Sequence, residues 1–361
     1  MTRRWPSGAT ARAVLAATGV LLGGCLAVGW PVGAAMAQAM QPVTTPPSTR
    51  SLDQSTLDYA LQPRQLAPGH WVVEGAVDDF GRHNGCNIIN TGYVMGQQGA
   101  VVINTGPSRL YGVQQRKALE ALGAKGGQRA KQGAVAPMRV LNLNLHPDYF
   151  FGNQAWADGP TLALPGSRAG MQAEGAAYAD NLYRLCGDWM KGTESTPAQA
   201  DVWPDTLELG GRTLALRRLQ GHTADDLVVL DPAARVAYVG GLVFMNRVPT
   251  TPHAQFEQWL ASLDTLAQWL TEGRYEWVVP SHGPVHQGLA GVNQTRDWLR
   301  WLVATMQTSA DKGLDLNEVL LDTPIPERFA RWAAQPAELH RSLTQWYPAY
   351  ESRALAAPLK R

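Results

Sequence analysis

Apolar residues recur at every second position in several short stretches and at every third or fourth in longer ones, so strands and helices alternate along the chain. Residues 70–77, 87–95 and 100–104 read as three successive strands, the last ending in Asn104-Thr105-Gly106-Pro107-Ser108. Ser108 can cap a helix over 110–122, with Gly123 as its stop. A strand over 138–145 follows, with Leu141, Leu143 and Leu145 at period two until Pro147, which brings no backbone donor, ends it. Beyond a short strand at 161–164, Tyr178, Leu182, Leu185 and Trp189 mark the apolar face of a helix over 168–190. Residues 206–219 pattern as a hairpin about Gly210-Gly211 and lead through an apolar strand to another at 235–239. A helix over 253–270 buries Phe256, Trp259, Leu260, Leu263 and Leu266, and a strand over 276–279 ends in Pro280-Ser281-His282-Gly283-Pro284. From about 291 the pattern is helical, with Trp298, Leu299, Leu302, Val303 and Met306 periodic and Gly313, Pro324 and Pro326 as breaks.

A chain of 361 residues, 45% hydrophobic and 17% charged, can bury a full core in one or two domains. Its formal charge of +1 and the lack of a basic block after the N-terminus argue against a nucleic-acid partner. Residues 1–37 carry Arg3, Arg4 and Arg12 and no acid, then an apolar run from Ala13 to about Gly29, then Ala35-Met36-Ala37. That is the layout of a secretory signal peptide, so export to the periplasm is expected, with no membrane span left in the mature chain. Its removal takes the formal charge from +1 to −2. A lipoprotein site at Cys25 and an uncleaved anchor are the alternatives. Residues 38–68, rich in Gln, Pro, Thr and Ser, read as a flexible linker. Cys86 and Cys186 remain in the mature chain, either paired or as two buried thiols.

Residues 142–153 read Asn-Leu-Asn-Leu-His-Pro-Asp-Tyr-Phe-Phe-Gly-Asn, which places His146 and Asp148 at a strand's end. Around it, in order, stand Asn104-Thr105-Gly106, Gly221-His222-Thr223, Gly240-Gly241-Leu242-Val243-Phe244 and Ser281-His282-Gly283. Together these resemble the motifs of the metallo-β-lactamase superfamily, and most of all the branch called quinoprotein relay system zinc metallohydrolases. The resemblance implies an α/β fold, a four-layer αββα sandwich over 69–290 with a C-terminal helical extension over 291–361. It also implies two zinc sites between the sheets. The first would keep His146 and His222 and carry Asn144 where a histidine belongs; the second would keep Asp148 and His282 and carry Tyr149 in place of another. Gly241 stands where the bridging aspartate belongs, and Asn104 where a supporting aspartate does. Asp148 is the surviving catalytic position. An exported, metallohydrolase-like protein is therefore expected, with one zinc ion or none, the single ion shared by His146, Asp148, His222 and His282. The resemblance implies a small-molecule substrate or ligand, or a periplasmic quinoprotein as partner. The alternative is a catalytically inactive accessory module, in which Asn144 and Tyr149 bond to the surviving residues and make a polar pocket without metal. If the pocket has kept its shape, Asn144→His, Tyr149→His and Gly241→Asp together should raise zinc uptake.

Overall fold

The alternating stretches assemble into two sheets. The first contains β1 (Arg64–Ala67), β2 (His70–Val73), β3 (Thr91–Gly96), β4 (Gly99–Ile103), β5 (Met138–Leu141), β6 (Thr161–Ala163) and β7 (Ala200–Asp201), side by side in that order. Pairing is antiparallel as far as β4 and parallel from there on. The second contains β8 (Thr206–Glu208), β9 (Thr213–Leu219), β10 (Asp226–Asp231), β11 (Val236–Phe244), β12 (Trp277–His282) and β13 (His286–Gln287), again in sequence order across the sheet. Here only the β11–β12 pair is parallel. This computed structural model describes residues 53–97, 99–125 and 138–356; the expected signal peptide and residues 38–52 of the expected linker lie outside them.

The inner faces of the sheets pack on each other through Val72, Val94, Val101, Ile103 and Leu141 on one side and Leu214, Leu216, Leu227, Val229 and Tyr238 on the other. Each outer face is covered by helices. On the first sheet, α1 (Arg109–Lys125) lays Leu119 on Tyr93, Val102 and Val140. Its start is capped as its sequence predicts, the Ser108 hydroxyl accepting from Tyr111 N at 3.0 Å. The short α2 (Pro147–Phe150) begins with proline at the position where a missing N–H costs nothing. Then α3 (Pro165–Cys186) packs Met171 and Leu182 against Leu145, Phe150 and Phe151. On the second sheet, α4 (Phe256–Glu272) and α5 (Ala290–Asp311) bury Trp259, Leu263, Leu266, Trp298 and Leu302 on Val228, Val239 and Val243. The chain closes with α6 (Leu316–Asp322), α7 (Glu327–Ala330) and α8 (Ala337–Ala356). No helix among the described residues is long and apolar enough to cross a membrane.

Several boundaries differ from the sequence pattern. The strand expected over 138–145 stops at Leu141, because side-chain amides replace ladder partners: Asn104 Oδ1 accepts from Leu143 N at 3.0 Å, and Asn142 Nδ2 donates to Tyr149 O at 2.8 Å. The described part of the expected linker, residues 53–68, packs on the domain: Tyr59 bonds through its hydroxyl to Gly85 O at 2.9 Å, and β1 pairs with β2. The helices after 290 belong to the same compact unit as the sheets, residues 51–361, since α5 is itself the layer that covers β11. The α8 helix holds the loop that follows β11: Ser342 Oγ lies 2.8 Å from Thr251 Oγ1, Trp346 Nε1 donates to Thr251 O at 2.9 Å, and Gln345 Nε2 donates to Pro252 O at 2.7 Å. Cys86 and Cys186 form a disulfide, their Cα atoms 5.9 Å apart across 100 residues of sequence. In the chain-entropy account, closing so long a loop stabilises the fold by about 4–5 kcal/mol.

Candidate active site

All the residues singled out in the motifs meet at one end of the sandwich, where β4, β5, β11 and β12 finish. Asn104 ends β4 in the left-handed region at φ 57°, which asparagine tolerates, and its side chain holds Leu143 in place without a charge. His146, Asp148, His222 and His282 are 7%, 2%, 0% and 3% exposed, so the cluster is a closed interior.

Within it the side chains are bonded to one another in three sets. In the first, the Ser281 hydroxyl lies 2.7 Å from His282 Nδ1, and His282 Nε2 lies 2.9 Å from Asp148 Oδ2. Burial pushes the Asp148 carboxyl up, but the hydrogen bond from His282, with the Arg247 guanidinium nearby, leaves the carboxyl below its ordinary range. Burial lowers His282. A carboxylate therefore accepts from a neutral imidazole, which in turn accepts from serine.

The second set runs outward. His146 Nε2 lies 3.0 Å from His253 Nδ1, and His253 Nε2 lies 2.9 Å from Glu174 Oε1, with the Tyr178 hydroxyl donating to the same carboxylate at 2.6 Å. A carboxylate only accepts, so His253 donates from Nε2 and receives the Nε2 proton of His146 at Nδ1. His146, driven well below its ordinary pKa by burial, is neutral and suits that role. The side chains of Glu174 and His253 are 37% and 25% exposed and form the outer end of the chain.

In the third, His222 is held between Asn144 Nδ2, 3.2 Å from its Nδ1, and Thr250 Oγ1, 3.4 Å from its Nε2. Burial lowers its pKa to about 3. Asp226, 3.6 Å from the same ring, is pushed up by burial to about 7 despite bonds from Thr223. Asn144 Oδ1 accepts from His146 N at 3.0 Å, so this amide serves the backbone and the ring together. The Tyr149 hydroxyl, raised far above its ordinary pKa by burial and by Asp148, lies beside Ser281 and Asn144 but has no hydrogen-bond partner. Gly241 is filled from outside: a Cβ there would fall 1.9 Å from His222 Nδ1 and 2.7 Å from Asn144 Nδ2.

The two sheets faced by outer helices match solved structures in fold. The metallo-β-lactamase IND-7 aligns at a TM-score of 0.50 and 18% identity, over 67% of this chain and 98% of that one. This chain has the metallo-β-lactamase fold. A metallo-β-lactamase from Pontibacter korlensis aligns at a TM-score of 0.49 and 19% identity, over 66% of this chain and 99% of that one. No protein-family model and no curated protein matches the chain.

The metallo-β-lactamase fold implies zinc, and the donors do not fit it. A catalytic zinc takes three protein ligands at about 2.0–2.2 Å and leaves one position open. Among the described residues, no group of three or more His, Cys, Asp or Glu side chains is placed to hold a metal ion. Tyr149 is held as the neutral phenol, Gly241 has no donor, and the four retained ligands are divided among separate bonded sets rather than sharing one point. That differs from the expected single ion shared by His146, Asp148, His222 and His282. The residues that the motifs single out lie together here, and His253, Glu174 and Thr250, which the sequence pattern left without a role, are bonded into the same cluster, as is Ser281 from within its motif. His253 marked only the start of an amphipathic helix, and Glu174 lay on the polar side of another, with no spacing to link them.

Proposed function

We propose that this chain is an exported, non-hydrolytic protein that uses the metallo-β-lactamase fold as a binding or accessory module, in the service of a periplasmic quinoprotein dehydrogenase. The observation that carries the first part is the His222 ring in the space beside Gly241, with the other ligand positions bonded to each other. Water activation by a metal ion needs an open coordination position, and here the donors are closed on themselves. Export is supported by Arg3, Arg4, Arg12 and the apolar run behind them, and the Cys86–Cys186 bond suits an oxidising compartment. The quinoprotein partner rests on the resemblance of residues 142–153 and their companion motifs.

A second reading is a single weak zinc ion and slow hydrolysis. It is favoured by one contact, Asp148 Oδ2 and His282 Nε2 at 2.9 Å, two donors already adjacent. Thiolester and lactam hydrolysis by the mature chain, with and without added zinc and with metal content measured on the same samples, separates the two. No turnover above the uncatalysed rate is expected. Hydrolysis that rises with bound zinc would overturn the non-hydrolytic reading.

A further inference from the structure

We infer that the hydrogen-bonded cluster does the bracing that metal ions do in a metal-holding site of this kind, and that the bare backbone at Gly241 is what allows it. The inference rests on the non-hydrolytic reading and adds that the fold is stable without metal.

The three bonded sets join segments at this end through side chains, beside backbone bonds such as Leu227 N to Leu143 O at 2.8 Å and Asn90 N to Ser281 O at 2.7 Å. His282 and Asp148 connect the end of β12 to α2, and so connect the two sheets. Asn144 and His222 make a second crossing, from the loop after β5 to the loop before β10. His146, His253 and Glu174 make a third, from the β5 loop through the loop before α4 to α3. An ion bound by residues from several strand ends would supply the same cross-links.

Gly241 is required for a steric reason only. Its backbone is not in the left-handed region, so any residue could adopt the conformation. The obstacle is the His222 ring, which has no free direction to move: its centroid lies 4.7 Å from His146, 5.1 Å from Trp259 and 5.5 Å from Phe244. A side chain at 241 must displace the ring from its bond with Asn144 and compress it against buried neighbours. A carboxylate restored at 241 would therefore break the brace before it could serve a metal, which reverses the expectation that returning ligands raises zinc uptake.

Thermal unfolding of the full mature chain tests this. In wild type, excess EDTA should leave the midpoint within about 1 °C of its value with zinc. Overpacking a filled core is destabilising, so G241A should lower the midpoint by about 3–10 °C or prevent folding. In an H222A background the same substitution should shift the midpoint by less than about 2 °C, because the atoms it strikes are gone. Any of three results would overturn the inference: a fall of several degrees on chelation in wild type, a neutral G241A, or an equal drop in both backgrounds. Should H222A fail to fold, the chelation and G241A measurements decide alone. A midpoint that drops on chelation without any hydrolysis sinks this inference and leaves the non-hydrolytic reading standing; zinc-dependent turnover sinks that reading instead.

Discussion

Two buried histidine–carboxylate clusters lie between the sheets, and they solve the same problem differently. Away from the site, His70 Nε2 lies 2.8 Å from Asp231 Oδ2, and Arg212 pairs with the same carboxylate and donates to Pro68 O at 2.8 Å. Burial pushes Asp231 up, yet the His70, Ala234 and Arg212 bonds hold it well below the ordinary carboxylate range. Positive and negative charge are matched there, and only Arg212 Nε lacks a partner. At the site, Asp148 leans on neutral imidazoles, three histidines have depressed pKa values, and a whole phenol hydroxyl goes unpaired. The first cluster is a charge-balanced clamp. The second is held by hydrogen bonds to neutral imidazoles, and its unpaired atom is the Tyr149 hydroxyl.

The contrast predicts unequal responses to mutation. The largest should come from Asp231→Ala, which strands Arg212 and His70 without their carboxylate; removing one partner of a buried pair costs about 3–5 kcal/mol. Denaturant unfolding measures it, and a loss under about 1 kcal/mol would mean that the charges there are not paired as described. Next is His253→Ala, which leaves the buried Nε2 of His146 unsatisfied at a cost of about 1–3 kcal/mol. An effect as large as that of Asp231→Ala would erase the distinction between the clamp and the cluster at the site.

Acid should reveal the difference as well. His146, His222 and His282 all have folded pKa values below their ordinary 6.5, so the unfolded chain binds protons that the folded chain refuses. Their contribution is fully present above pH 6.5 and is lost as pH falls toward the folded values, about 3 for His222. Midpoints measured from pH 7 down to pH 5 should therefore fall, and a flat profile would show that these rings are charged in the fold. Asp226 works the other way. Its folded pKa near 7 exceeds the unfolded value, so its contribution is present at low pH and lost as pH rises through 7. Asp226→Asn should give the smallest effect of the series, a slightly steeper fall from pH 7 to pH 5 than in wild type, read from the same curves.

The sequence revealed much of this scaffold, for reasons visible in particular residues. Period-two and helical apolar spacing located the strands and helices, and motif order brought His146, His222 and His282 to one sheet end. The bonds within the site were not legible. Gly241 reads as a missing ligand in one dimension, while the ring that takes its space comes from His222 on a neighbouring strand end. Glu174 and His253 lie 79 residues apart on helical patterns that look ordinary singly. The early end of β5 was equally hidden, because Asn104 and Asn142 replace ladder partners through side chains that an apolar period does not register.

The clasp of α8 on the loop after β11 sets an order of assembly. Thr251 and Pro252 are gripped by residues 91 to 95 positions later, and His253 follows them immediately. A chain synthesised N-terminus first presents both sheets before Ser342 and Trp346 appear. The loop that carries the outermost histidine of the cluster thus gains its last anchors only with α8, so a chain halted before that helix would hold His253 through His146 and Glu174 alone.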